Sequence, residues 1–187
     1  MARSAKGTKI RTPGDIYPVV RSWAKKEQEN FLTVTLNGAH EVIRVHHITK
    51  GLVDRTIVHP RECFRASIKD NASAVVFVHN HPSGSLYPSD GDKSITKRLC
   101  MAGAIMGINV LDHLIISKSG FNSLRASGDM PEILDYEDHS DSKLRQFAAE
   151  LAAEERELAG RSNITTGPCI RPLKTTEAHK AEGKINE

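Results

Sequence analysis

Residues 74–78 read Ala-Val-Val-Phe-Val, with no polar residue among them. A strand with one wet face alternates apolar and polar side chains, so an unbroken β-branched and aromatic run predicts a strand covered on both faces. Two layers of cover are then needed, and helices on either side of a sheet supply them most economically. The run leads directly into His79-Asn80-His81-Pro82-Ser83-Gly84, where the Pro-Ser-Gly signals place the end of the strand and the start of a loop.

The flanking segments fit that architecture. Pro13-Gly14-Asp15 supplies a turn and an N-cap for a first helix, with Ile16, Val19, Val20 and Trp23 at helical spacing and an end near Glu29. Phe31–Leu36 alternates as a strand, Asn37-Gly38 signals a hairpin, and Val42–Ile48 reads as the returning strand. Ile57-Val58 adds a short strand. Pro60 then opens a second helix whose apolar face carries Cys63, Phe64, Ser67 and Ile68, closed by Asp70-Asn71. Beyond the central run, a third helix from about Ser89 to Met106 carries Ile95, Leu99 and Ala102. Val110–Ile116, the turn Lys118-Ser119-Gly120 and Phe121–Leu124 complete the pattern as strand, turn and strand. The expected fold is α/β, a mixed β-sheet flanked by α-helices.

A chain of 187 residues accommodates one domain plus tails. Residues 1–10 read as a flexible N-terminus and residues 11–130 as the folded domain. Residues 131–160 form an acidic C-terminal helix, striped by Leu144, Phe147, Ala148, Leu151 and Leu158, which packs on the domain, on a partner or on a second copy. Residues 161–187 have no apolar period and read as a disordered tail. A net charge of +3 is too small to predict a strong electrostatic grip on nucleic acid. The first fifteen residues lack an apolar core, and no stretch approaches the roughly 18 apolar residues of a membrane span. The expectation is a cytoplasmic protein without membrane contact. Cys63, Cys100 and Cys169 show no CxxC spacing and are odd in number, as expected of reduced, buried thiols.

Chemistry concentrates where the central strand ends. Residues two apart in a strand point the same way, so His79 and His81 present imidazoles to one point, and Asp92 opens a helix that the loop can fold back beside them. Two nitrogens and one carboxylate oxygen match a catalytic zinc, which leaves a fourth position for water. Ser89 and Asp92 also match the Ser-x-x-acid pattern of a helix start, so capping is the rival role for that pair. His46 and His47 are adjacent on a strand and face opposite ways, so both do not join one site. His113 lies in a strand with no ligand partner nearby in sequence and reads as a structural hydrogen-bonding residue.

His79-x-His81-Pro82, six intervening residues and Ser89-x-x-Asp92 resemble the signature of the JAB/MPN (JAMM) zinc metalloprotease superfamily. The filling of that string, with Ile95-Thr96-Lys97-Arg98-Leu99 and Val110-Leu111-Asp112-His113 after it, is similar to the RadC-like branch. Upstream the resemblance runs through Glu29-Asn30-Phe31, Leu36-Asn37, Gly51 and His59-Pro60-Arg61-Glu62, and it covers about residues 11–130. It implies a JAB-type fold and zinc on His79, His81 and Asp92.

It also implies a glutamate, placed at the end of the first helix or the start of the first strand, as general base. Glu29 occupies that place, with Glu62 as the fallback, and the Ser89 hydroxyl would help to hold an oxyanion. The implied activity is zinc-dependent hydrolysis of peptide or isopeptide bonds in a peptide or protein substrate. The alternative is a DNA-repair-associated module that binds nucleic acid or a partner, with the JAB fold as scaffold and weak DNA association. RadC-like chains often carry a helix-hairpin-helix module before this domain, whereas about ten residues precede the first helix here, so that attachment is not expected. Ala126 stands where such sequences tend to have Glu, and the acidic helix lies outside the resemblance.

Overall fold

The computed structural model describes residues 5–51 and 58–131, together with residues 149, 150, 153 and 156. Ile57, most of the expected C-terminal helix and the whole of residues 161–187 lie outside the described residues. Five strands, β1 (Asn30–Leu36), β2 (Val42–Lys50), β3 (Ala74–Asn80), β4 (Asn109–Ser117) and β5 (Gly120–Ser123), form one sheet in the order β2-β1-β3-β4-β5. The β3–β4 pair is parallel and the others are antiparallel, so the sheet is mixed. Helices α1 (Pro13–Val20), α2 (Pro60–Lys69), α3 (Asp90–Met106) and α4 (Leu124–Ser127) accompany it among the described residues. No helix among the described residues is long and apolar enough to cross a membrane.

β3 is central and buried at every position, as its unbroken apolar run requires. Its alternation divides the core into two. Ala74, Val76 and Val78 pack with Ile16, Val20, Leu32, Val34, Leu114 and Ile116 on the α1 face. Val75 and Phe77 pack with Cys63, Phe64, Leu99 and Cys100 on the face covered by α2 and α3. His79 and His81 continue the odd-numbered set towards α3, and Asn80 continues the even-numbered set towards the chain that leaves α1. Gly103 allows α3 to come close to the start of β4, since a Cβ there would lie 2.6 Å from the Ile108 carbonyl oxygen and 2.8 Å from Val110 Cγ2.

The structure corrects several local expectations. The first helix ends at Val20, followed by a 3₁₀ turn at Trp23–Lys25, and does not reach Glu29. The Lys26 and Gln28 carbonyls are taken by the Asn80 amide at 3.2 and 3.0 Å, which draws this stretch off the helical path and onto the sheet. The N-cap of α1 is Thr12. Asp15 sits inside the helix, where its carboxylate accepts the Arg11 and Thr12 main-chain N–H groups at 2.9 and 2.8 Å. Ile68 is 62% exposed, because at 100° per residue it lies about 140° round α2 from Cys63. The buried stripe of α3 is Thr96, Leu99, Cys100 and Gly103, with Ile95 and Ala102 at its margins. Leu124 begins α4 and does not extend β5.

Candidate metal centre

The site forms where β3 runs out beside the first turn of α3. Ser89 is the N-cap of that helix and Asp92 its third residue, and they close a capping box. The Ser89 main-chain N–H and hydroxyl both donate to Asp92 Oδ2, at 2.8 and 2.6 Å, while Ser89 Oγ accepts the Asp92 N–H at 3.2 Å. The capping role and the ligand geometry are therefore one arrangement, because the cap holds Oδ2 and turns Oδ1 towards the histidines. His79 Nε2 lies 3.1 Å from Asp92 Oδ1 and 3.0 Å from His81 Nε2, and His81 Nε2 lies 3.5 Å from Asp92 Oδ2. One ligand atom from each of the three residues falls within 4.8 Å of the others.

That donor set fits a divalent metal ion, since two imidazole nitrogens and a carboxylate oxygen converge, two of them on side chains that are partly exposed. His81 Nδ1 donates to the Ser85 carbonyl at 3.1 Å, so its proton is turned away from the cluster and Nε2 keeps its lone pair. His79 is fully buried and His81 half-buried, which leaves approach from the His81 side.

The electrostatics of the site follow from crowding three basic atoms together. Burial favours the neutral form of the Asp92 carboxyl. The neighbouring imidazoles of His79 and His81, with the Ser89 hydroxyl, outweigh that and hold it well below the usual carboxylate range. The Asp92 carboxylate raises His81 above an ordinary imidazole. Burial opposes the shift and the Glu29 charge adds to it. Both shifts express one demand, for a cation among these three side chains.

Glu29 enters through strand register. β1 pairs antiparallel with β3 and matches Phe31 to His79, so Glu29, two residues before Phe31, enters near the end of β3, where its charge acts on His81. The Gly51 N–H donates to the Glu29 carbonyl at 2.9 Å and ties the strand entry to the end of β2. Glu62 is placed differently. Its carboxylate meets Arg61 at 3.2 Å and Arg65 at 3.3 Å on α2, and it lines a groove with Arg44, His46 and His47. His46 is engaged by Asp70 at 2.5 Å and the His47 ring lies 4.8 Å from that of Trp23, while both border that groove.

Three residues that sequence spacing did not assign to the site are built into it. His113 on β4 is completely buried, and its Nε2 lies 2.8 Å from His79 Nδ1. Burial pushes its imidazole well below the ordinary range. Thr96, one turn along α3 from Asp92, reaches His113 Nδ1 at 2.6 Å. Asn80 is the second support, since its Oδ1 accepts the Asn30 main-chain N–H at 2.8 Å. The central, doubly covered strand was the available signal for Asn80, because a polar side chain between two ligands there must find internal partners.

A family profile described as RadC-like JAB domain matches residues 10–129. Among individual proteins, the chain is 47% identical over 122 residues to a UPF0758 protein of Methanospirillum hungatei, covering 64% of this chain and 54% of that protein. It is 44% identical over 100 residues to UPF0758 protein STH371 of Symbiobacterium thermophilum, covering 54% and 43%. It is 38% identical over 122 residues to a UPF0758 protein of Thermotoga maritima, covering 65% and 55%. The chain thus spans about half the length of the curated relatives it matches.

Proposed function

The chain belongs to the RadC-like JAB domain family, and from that premise we propose that it is a zinc-dependent hydrolase of peptide or isopeptide bonds. The observation that carries this reading is the convergence of ligand atoms from the buried His79 and the partly exposed His81 and Asp92 within 4.8 Å of one another. Zinc held by these three residues supplies a Lewis acid that lowers the pKa of water and polarises a carbonyl.

The remaining work falls to the chain's own residues. Glu29, whose charge acts on His81, takes the proton of the attacking water as the new C–O bond forms, and returns it to the amine as the C–N bond breaks. Ser89 contributes its hydroxyl to the developing oxyanion. Its main-chain N–H already holds Asp92 Oδ2 at 2.8 Å, so Asp92 stays fixed while the hydroxyl rotates away. The test is cleavage of a panel of peptide and isopeptide substrates by the zinc-loaded protein. Cleavage by the wild type, absent from Asp92→Ala and from a zinc-containing Glu29→Gln, is the expected result. Cleavage that persists in a zinc-free Asp92→Ala protein would overturn the reading.

A groove between β2 and α2, lined among the described residues by Arg44, His46, His47, Arg65 and Lys69 with Glu62, favours a second reading as a module that binds nucleic acid or a partner on the JAB scaffold. Steeply salt-dependent DNA affinity that Asp92→Ala leaves undisturbed would support it.

A further inference from the structure

We propose that Thr96 and His113 are positioning residues that lock His79 in the tautomer a metal ion needs. The inference deepens the reading above and rests on it only for the identity of the metal. It begins at a group whose hydrogen-bonding role is unambiguous, the main-chain carbonyl of Asp92, which can only accept. Thr96 Oγ1 lies 2.5 Å from that oxygen and therefore spends its single proton there. Towards His113 Nδ1, at 2.6 Å, the same hydroxyl is left as an acceptor, so the His113 proton resides on Nδ1. His113 is completely buried with the rings of Phe31 and Phe77 against it, surroundings that hold an imidazole with one ring proton, and its Nε2 is consequently a lone pair. His79 Nδ1, 2.8 Å from it, must donate. The proton of His79 is thereby fixed on Nδ1, and Nε2, the atom 3.1 Å from Asp92 Oδ1, is free to bind a metal.

The chain of bonds leaves the main chain of Asp92 and returns to its side chain, so it couples the first turn of α3 to β4 and β3 in one circuit. His79, Thr96 and His113 are each completely buried, so water cannot substitute for any link. Because the circuit ends on a carbonyl oxygen it has no exit for a proton. It orients a ligand and takes no part in proton transfer. Such outer partners of ligating histidines set ring orientation and tautomer, and their loss typically weakens metal binding about 10–100-fold.

The test uses the full chain and substitutes a residue that contacts no metal ligand atom. Thr96→Val removes the acceptor for His113 Nδ1–H, frees His113 to carry its proton on Nε2, and so reverses the bond to His79. Thr96→Ser keeps the hydroxyl. Long-range proton–nitrogen correlation spectra of the metal-free proteins, recorded above the ordinary imidazole range, read the tautomers directly. Zinc affinity is read by competition with a chelator of known strength. Expected are Nδ1–H tautomers at His79 and His113 in the wild type, an Nε2–H signal at His79 in Thr96→Val with zinc affinity reduced about 10-fold or more, and recovery of both in Thr96→Ser. An Nε2–H tautomer at His79 in the wild type would overturn the inference, as would an unchanged His79 tautomer in a folded Thr96→Val. If the wild type bound no zinc, the hydrolase reading would fail while the tautomer spectra still decided this one.

Discussion

Asn80 Oδ1 lies 2.8 Å from the main-chain nitrogen of Asn30, and through that bond the residue between the two histidines holds the segment that carries Glu29. The same side chain donates to the Lys26 and Gln28 carbonyls, at 3.2 and 3.0 Å, and is 1% exposed. One strand therefore places metal-type ligands on one face and anchors the candidate base from the other. Asn80→Ala removes the acceptor of the buried Asn30 main-chain N–H and is expected to cost about 1–3 kcal/mol in urea unfolding, with zinc binding retained because His79 and His81 keep their strand. Stability equal to wild type would show that the anchor is dispensable.

Glu29→Gln keeps the size of the side chain and removes its capacity to take a proton. Hydrolysis is expected to fall by about 10²–10⁴-fold while the zinc content of the protein stays at the wild-type level. A parallel Glu62→Gln, whose carboxylate is occupied by Arg61 and Arg65, is expected to leave turnover near wild type.

Asp70 gives a pH signature distinct from the metal site. Burial alone would raise its carboxyl, but hydrogen bonds with His46 at 2.5 Å and from Thr35 at 2.7 Å, with the charge of Arg44, bring it below the ordinary value. A carboxyl with a depressed folded-state pKa stabilises the fold above the unfolded pKa, about 4, and loses that contribution as pH falls through the folded value. Asp70→Asn should be less stable than wild type at neutral pH, with the gap narrowing in acid. A gap that widened in acid would contradict this assignment.

The close approach of α3 to β4 leaves no room for a methyl group at Gly103, which meets the Ile108 carbonyl oxygen and Val110 Cγ2 inside contact distance. Gly103→Ala should destabilise the protein by about 1–3 kcal/mol despite its better helix propensity. A neutral or raised unfolding midpoint would mean that the helix can retreat from the sheet without loss.

Burial pushes the Cys63 and Cys100 thiols up to about 12. Neither forms appreciable thiolate near neutral pH, so peptide mapping after alkylation of the native protein should find both unmodified, and modified once the chain is unfolded. Rapid native labelling of either would show that the core opens there.

How much of this was legible in the sequence depended on distance along the chain. The unbroken run at residues 74–78 led to a central strand, the two-residue spacing set His79 and His81 on one face, and the Ser89-x-x-Asp92 pattern marked the start of α3, all within short windows. The role of Glu29 comes from the resemblance, and its entry near the end of β3 depends on a β1–β3 pairing that no local pattern encodes. His113 was legible as a buried hydrogen-bonding residue, but its partners are His79 and Thr96, 34 and 17 residues away. The overrun of the first helix has the same origin, because helical spacing through Trp23 could not reveal that Asn80, more than fifty residues later, takes the Lys26 and Gln28 carbonyls.

The most direct test of the central claim is zinc per chain in the purified protein, measured alongside His81→Ala and Asp92→Ala. The account predicts about one zinc in the wild type and none in either variant, since two of three ligands do not hold the ion through washing. A wild-type protein that takes up no zinc when offered it, or variants that retain zinc as well as wild type, would contradict the account.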